Sequence, residues 1–483
     1  MIIKRELTNI KLEPVLTTVL LHLKELSFKS LIVGGSVRDA ILGIEPKDID
    51  IEVYGISYEK LKEVLQIYGS VNLVGKAFGV IKFNPVNVDN GTDYDFSIPR
   101  KENKVGVKHQ DFEITFDENM TIEQAAARRD FTFNSIAYDP LTFEVYDYYG
   151  GLYDIDNKIM RHTSDKFSED VLRILRGMQF QARFGFELHP DTAAIMREMV
   201  RSGEIEKLPK ERVFEEWMKW AEKGTKHDLI FNFLRESSLI NCYRELEALK
   251  ETIQDHIYHP EGDVEIHTSL CLAHMDKVIE RENIVGKEKV ILVMSILLHD
   301  IAKPYVTEEK FKRGRMVITS EGHEELGGDM CLVILPELGF HEELVTPISR
   351  LVENHLAGVN IASIKKESSR HKSVKKLSRK LFPATIKQLL YVMESDTNGR
   401  GGSEHVVPIG AKELLEVAEE IHVVEKQYEY MLMGRHLIEA GLKPSEKFGT
   451  ILKASYEAQE NGEFSDVEGA KEWLKNNLAQ LIK

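Results

Sequence analysis

The segment Lys47-Asp48-Ile49-Asp50-Ile51-Glu52-Val53 sets acids at alternate positions of a β-rich run. Residues two apart in a strand point to one face, so the run predicts a strand in which Asp48 and Asp50 project side by side. Adjacent carboxylates repel unless a cation neutralises them, and hard divalent ions shared with substrate phosphates suit such a pair. An acid pair of this kind can activate a hydroxyl and stabilise a leaving pyrophosphate in an in-line displacement. An ordinary exposed strand face explains the pattern less well, because Asp is disfavoured there. Asp95, in Tyr94-Asp95-Phe96-Ser97, is the candidate third acid.

Upstream, Leu31-Ile32-Val33-Gly34-Gly35-Ser36-Val37-Arg38 reads as a strand, a diglycine turn and a helix start. Glycines let the backbone approach phosphate oxygens, and amides at a helix N-terminus point at the anion. Neither the GxxxxGK[ST] nor the GxGxxG spacing is present. Arg38, one turn in, is placed for a charge-assisted contact. Farther on, Arg128-Arg129-Asp130-Phe131-Thr132 could bracket a triphosphate and a ribose, or form a surface turn with a salt bridge. Ser168-Glu169-Asp170-Val171-Leu172-Arg173 then predicts a helix capped by Ser168, with Asp170 and Arg173 as surface neighbours. Such a pair is either a weak intrahelical ion pair or a reader of bases. A carboxylate beside a guanidinium accepts from an exocyclic amine and donates to the adjacent ring nitrogen. Cytosine and adenine both present that edge, and a good bidentate contact discriminates by about 1–3 kcal/mol.

The C-terminal half carries a second set: His267, then His299-Asp300 after the apolar run Val290–Leu298, then His323, His355 and Asp396. Imidazole nitrogens with carboxylate oxygens suit a transition metal such as Mn, Fe, Co, Ni or Zn. A lone histidine on an apolar helix is usually a satisfied core residue. Several at helix ends, with acids among them, point to a metal site.

The elements that must hold these groups fall into two textures. From Ser30 to about Tyr148, short β-rich runs (Leu31–Val33, Ile49–Val53, Val80–Phe83, Tyr94–Ile98, Phe143–Tyr148) alternate with helices such as Ser57–Tyr68. From Ser168 onward nearly every segment reads as an amphipathic helix. The fold class expected is α+β, an α/β head followed by all-α parts. The division expected is a head over 1–155, a helical neck and body over 156–255, a metal-site domain over 256–405 and a helical tail over 406–483. A composition of 42% hydrophobic and 29% charged residues fits a globular chain. No apolar run is long enough to span a bilayer. Met1 to Pro14 carry no signal-peptide pattern, and three scattered cysteines fit a reducing cytoplasm better than a disulfide framework. The net charge of −16 weighs against nucleic acid only weakly, since phosphate contacts depend on local patches. One such patch exists: Lys372, Lys375, Lys376, Arg379 and Lys380 share a helix face, opposite Val374, Leu377 and Leu381.

Taken in order, the head motifs resemble the class II tRNA nucleotidyltransferases, the CCA-adding enzymes, and their relatives the bacterial poly(A) polymerases. The resemblance runs through Leu208-Pro209-Lys210-Glu211-Arg212-Val213. It implies a polymerase-β-like head, Mg²⁺ at Asp48 and Asp50, tRNA as partner, and CTP and ATP as substrates. Nucleotide contacts are implied for Gly35, Arg38, Arg129, Asp170, Arg173 and Arg176. Many members carry a third arginine a turn beyond Arg176, where this chain has Gln179. The connector Pro99 to Asp117, with Arg100, Lys101, Lys104 and Lys108, occupies the place of the family's flexible loop. The histidine–aspartate set resembles the HD superfamily of metal-dependent phosphohydrolases, with His267, His299, Asp300 and Asp396 at its four defining positions. His323 and His355 stand ready for a second metal or a phosphate. Gly434-Arg435-His436-Leu437-Ile438 resembles a C-terminal segment common in HD-bearing members.

Overall fold

A computed structural model of the chain describes residues 1–72, 79–86, 93–104, 112–312, 314–401, 405–445 and 447–481. They form two compact units: 1–216 with 232–242, and 217–231 with 243–483.

The first unit is built on β1 (Ile2–Lys4), β2 (Lys29–Val33), β3 (Asp50–Tyr54), β4 (Gly69–Asn72), β5 (Val80–Pro85) and β6 (Tyr94–Ser97), followed by the paired β7 (Arg100–Lys104) and β8 (Phe112–Phe116), and β9 (Ala137–Asp139) and β10 (Glu144–Tyr146). Eight of these form one sheet in the order β1-β10-β9-β2-β3-β6-β5-β4. Every neighbouring pair is antiparallel except β3 and β6, which run parallel with Asp50 opposite Asp95. Side chains alternate across the pleat. Ile51, Val53, Tyr94 and Phe96 therefore go into the core, while Asp50, Glu52 and Asp95 share the other face.

All five expected strands are present, each within a few residues of its expected bounds, and Ser57 caps the helix after β3 by accepting from the Lys60 amide. Strand β3 starts later than expected: Asp48 lies in a bend, and regular pairing begins at Asp50. The connector begins and ends as the β7–β8 ribbon. Its Lys108 lies outside the described residues. A short parallel pair, β11 (Ile159–Met160) with β12 (Glu187–Leu188), and the helices α1 (Gly35–Ile41) and α2 (Leu172–Phe184) complete what the head site needs. Beneath the site, Phe131, Phe133 and Phe180 pack edge-to-face and stacked. Such pairs contribute about 0.5–1.5 kcal/mol each beyond burial.

In the second unit α3 (Val264–Glu282) packs on α4 (Gly286–Leu298) and on the later helix α8 (Ile386–Asn398). Between them lie α5 (His323–Glu337), α6 (Glu342–Asn354) and α7 (Glu367–Leu381). The nearly all-helical expectation requires a correction here. Glu308–Lys312 and Arg315–Thr319 form an antiparallel hairpin, β13–β14, reversing near Gly314, whose φ is +81°. Its side chains are mostly half-exposed or exposed, so no amphipathic alternation marks it. In α7, Val374, Leu377 and Leu381 are buried as expected. The basic face is largely engaged: Arg379 pairs with Glu460 and lies over Tyr430, Lys380 sits 3.1 Å from Glu353, Lys375 lies over Tyr428, and Lys372 donates to Asn461.

Candidate active site and metal centre

In the head, β2 delivers the chain into Gly34 at φ +72°, and α1 follows at once. A side chain at Gly34 would start 2.8 Å from the Arg129 guanidinium, so glycine leaves room for that cation over the turn. Ser36, 4% exposed, joins loop to acids: its hydroxyl donates to the Asp48 carbonyl at 3.0 Å and accepts from the Asp50 amide at 3.4 Å. Sequence reasoning passed over Ser36, although its place directly after the diglycine was visible. Loss of solvent raises the pKa of the Asp50 carboxyl; Arg129 opposes the shift, and Asp95, Asp48 and Glu52 reinforce it. Acids crowded together in this way fit a divalent cation. Glu52, on the same face as Asp50, is a further acid that the sequence reading left unassigned.

The expected nucleotide-binding residues are placed as follows. Arg38 is 4% exposed. It donates to Asn134 Oδ1 at 2.6 Å and to Asp39 at 2.8 Å, and lies over the Phe184 ring. Asn134 in turn donates to Asp130, which receives Arg176 Nε at 2.7 Å. Burial works against the Asp130 charge, yet Arg176, Asn134 and the Phe131 amide hold its carboxyl below the usual range. Arg38, Asn134, Asp130 and Arg176 thus form one relay from α1 to α2, buried except at the half-exposed Arg176.

The helix expected to open at Ser168 requires correction. Ser168 donates to the Asp165 carbonyl within a short 3₁₀ turn, and α2 begins at Leu172. Val171 is the N-cap residue and makes no side-chain cap; the Asp170 side chain, one residue earlier, accepts from the Leu172 amide at 3.0 Å. Asp170 therefore stands ahead of the helix in extended conformation rather than on its surface. Its other oxygen receives Arg212 at 2.9 Å, while Arg173 donates to the Lys166 and Arg128 carbonyls at 2.7 and 2.6 Å. Gln179 is buried, with Oε1 lacking a hydrogen bond. One turn beyond, Arg183 approaches Asp39 at 4.0 Å and lies over Phe184, a cation the sequence reading did not single out.

The second unit gathers the histidines and aspartates as sequence spacing suggested. Each of four imidazoles has Nδ1 beside an acceptor: Glu261 for His267 at 2.7 Å, and the Ile296, Ser320 and Val352 carbonyls for His299, His323 and His355 at 2.8, 2.6 and 2.7 Å. A carbonyl only accepts, so Nδ1 carries the proton and Nε2 offers a bare lone pair. These lone pairs converge. His323 and His355 Nε2 lie 3.3 Å apart, His267 Nε2 is 3.1 Å from Asp396, and Asp300 is 3.2 Å from both His299 and His323. His299 Nε2 is buried without a well-directed hydrogen bond, and the buried Asp300 beside it has Lys303 Nζ 2.6 Å from Oδ2. Facing imidazole nitrogens beside buried carboxylates suit a cation between them, with each Nδ1 acceptor holding its ring so that Nε2 faces the centre. Burial opposes protonation of His299, yet Asp300 and Cys271 push its pKa up to about 10, so its Nε2 takes a proton unless a cation displaces it; burial and the neighbouring His323 and His299 push His355 down to about 3. Glu261 was missed because its role is to orient His267 from the turn ahead of α3. The group borders a cleft of about 870 Å³ whose wall includes Lys303, Arg315 and Arg400.

A mixed sheet that sets acids beside a diglycine helix start, followed by helices that brace it, defines a nucleotidyltransferase head. The family described as the poly A polymerase head domain matches residues 30–161. That described as a probable RNA and SrmB-binding site of polymerase A matches residues 185–239. Multifunctional CCA proteins of Xanthomonas campestris pv. campestris are 30% identical over 379 residues, 78% of this chain and 86% of theirs. Those of Acinetobacter baumannii are 31% identical over 377 residues, 77% and 85%. The chain belongs to the CCA-adding enzyme and poly(A) polymerase family of nucleotidyltransferases. Its fold is also that of the Bacillus stearothermophilus CCA-adding enzyme solved with CTP (TM-score 0.60, 19% identity, 97% of this chain and 99% of that one). The Thermotoga maritima enzyme solved with tRNA shares it too (TM-score 0.57, 17% identity, 99% of each). Among the described residues no helix is long and apolar enough to cross a membrane.

Proposed function

We propose that this protein adds CCA, or part of it, to tRNA 3′ ends from CTP and ATP in the cytoplasm. The observation that carries the reading is the parallel register that sets Asp50 beside Asp95, with Asp48 held next to them by Ser36. Asp48 and Asp50 are the catalytic acids; Mg²⁺ held there supplies neutralisation of the acids and of the triphosphate, and activation of the attacking hydroxyl. The Gly35 amide and Arg129 take the phosphates at the diglycine turn. Arg38, sealed by Asn134 and Phe184, braces that turn, and Arg176 does the same for α2 through Asp130. Asp170 and Arg173 read the incoming base, and Arg212 orients Asp170. Incubation with a tRNA lacking its CCA, offering CTP and ATP separately and together, tests the assignment. Sequenced products ending in CCA support it, and a long A-tract on unrelated RNA would replace it with poly(A) synthesis.

In the same division of the chain, 256–405 is an HD-type phosphohydrolase domain between the helical body (156–255) and the tail (406–483). His267, His299, Asp300 and Asp396 hold a transition metal there, which supplies an activated water, and His323 and His355 hold a second metal or the phosphate. Lys303, Arg315 and Arg400 on the cleft wall suit a phosphoester. Release of phosphate or opening of a cyclic phosphate on RNA ends in Mn²⁺, Ni²⁺ or Co²⁺ tests this part.

A further inference from the structure

Cys271 stands one helical turn after His267 on α3, so both side chains leave the same face of the helix. It is fully buried, and its Sγ lies 3.4 Å from His267 Nε2, inside the convergence of lone pairs rather than behind it. Ligand atoms of His267, Cys271, His299 and Asp396 all lie within 4.8 Å of one another. Bonds of about 2.0–2.3 Å to a tetrahedral zinc put its ligands about 3.3–3.8 Å apart. The sulfur-to-His267 separation of 3.4 Å, with 3.1 Å from His267 to Asp396 and 3.9 Å from His299 to Asp396, brackets that spacing. The neighbouring helix leaves room for the sulfur. A Cβ on Gly399 would sit 2.2 Å from Cys271 Sγ, so any larger residue would drive the thiol out of place. The bare His299 Nε2, buried and without a hydrogen bond, points independently to a ligand at this spot.

We infer that Cys271 is a direct ligand of the metal centre, its thiolate joining His267, His299, Asp300 and Asp396 and turning the site towards zinc. This rests on the reading of the centre as a metal site. On binding, the thiol proton leaves to solvent and a metal–sulfur bond forms, with no change of oxidation state. A thiolate added to imidazoles and carboxylates shifts preference away from Mg²⁺ and Mn²⁺ towards softer ions.

The test is cobalt substitution in the full chain, because Co²⁺ occupies zinc geometries and gives a thiolate-to-metal charge-transfer band in the near ultraviolet. The band is expected in the wild type. It should persist in a C242S/C331S variant, whose only cysteine is Cys271, and vanish in Cys271→Ser with zinc affinity reduced about tenfold or more. The C242S/C331S protein decides the question even if Cys271→Ser fails to fold. Cobalt bound at this centre without the band, or a band lost with Cys242 or Cys331 instead, overturns the inference while leaving the metal site standing. Failure of the wild type to bind Co²⁺ or Zn²⁺ at all would instead remove the metal-site reading beneath it.

Discussion

At the scale of single residues, the Asp50 carboxyl is desolvated and crowded by Asp95, Asp48 and Glu52, with Arg129 offsetting them. A group held there against its own electrostatics serves something other than stability. Asp50→Asn should therefore abolish nucleotide addition while leaving the thermal midpoint in chelator unchanged or raised. A lowered midpoint with residual activity near wild type would sink the assignment of Asp50 as a catalytic acid. Arg173 raises a sharper question, because its guanidinium already donates to two backbone carbonyls. If it also reads the base, Arg173→Ala slows CTP and ATP use and relaxes discrimination against UTP. Relative UTP incorporation should then rise about tenfold for each 1.4 kcal/mol lost. Steady-state kcat/KM for all four nucleotides on one tRNA decides it; equal slowing of all four makes Arg173 a brace of the 3₁₀ turn.

At the scale of elements, the relay Arg38–Asn134–Asp130–Arg176 fixes α1 against α2. Asp130 is 7% exposed, and three donors converge on it. Breaking a buried pair costs about 3–5 kcal/mol when one charge is left unmatched. Arg176 keeps some solvent, so Asp130→Asn should cost about 2–3 kcal/mol, towards or below the low end of that range. The pH dependence has a definite sign. The folded pKa of Asp130 lies below its unfolded value, so this stability is present above the ordinary carboxylate range and fades as pH falls through the lowered value. The gap between wild type and Asp130→Asn in urea melts should accordingly close on acidification. A gap that stays constant with pH would mean that Asp130 contributes through shape alone.

At the scale of the whole molecule, the acids of the head and the histidine–aspartate group lie in different compact units. In the proposed reading Asp300 serves the chemistry of the second unit and takes no part in that of the head. Asp300→Ala should remove any metal-dependent phosphohydrolase activity while CMP and AMP incorporation continue at the parental rate. Parallel loss of incorporation, with no hydrolase found in the parent, would show that the second unit supports the first and has no reaction of its own.

Much of this was legible in the chain itself. Alternation of acids with Ile51 and Val53, the diglycine after an apolar strand, and histidines at the ends of apolar runs are local patterns. Period and turn chemistry impose them wherever the fold places them. What remained hidden was long-range or a matter of one backbone conformation. The pairing of Asp50 with Asp95 depends on β3 and β6 running parallel, and nothing near either residue states that register. Asp170 stands ahead of the helix in extended conformation, its carboxylate turned back onto the Leu172 amide, a backbone conformation that composition left open. Hairpin β13–β14 carries no amphipathic alternation and so escaped the periodicity argument. The roles of Ser36, Glu261 and Cys271 came from tertiary packing alone, since a hydroxyl, a carboxylate and a thiol take their meaning from the groups that folding sets beside them.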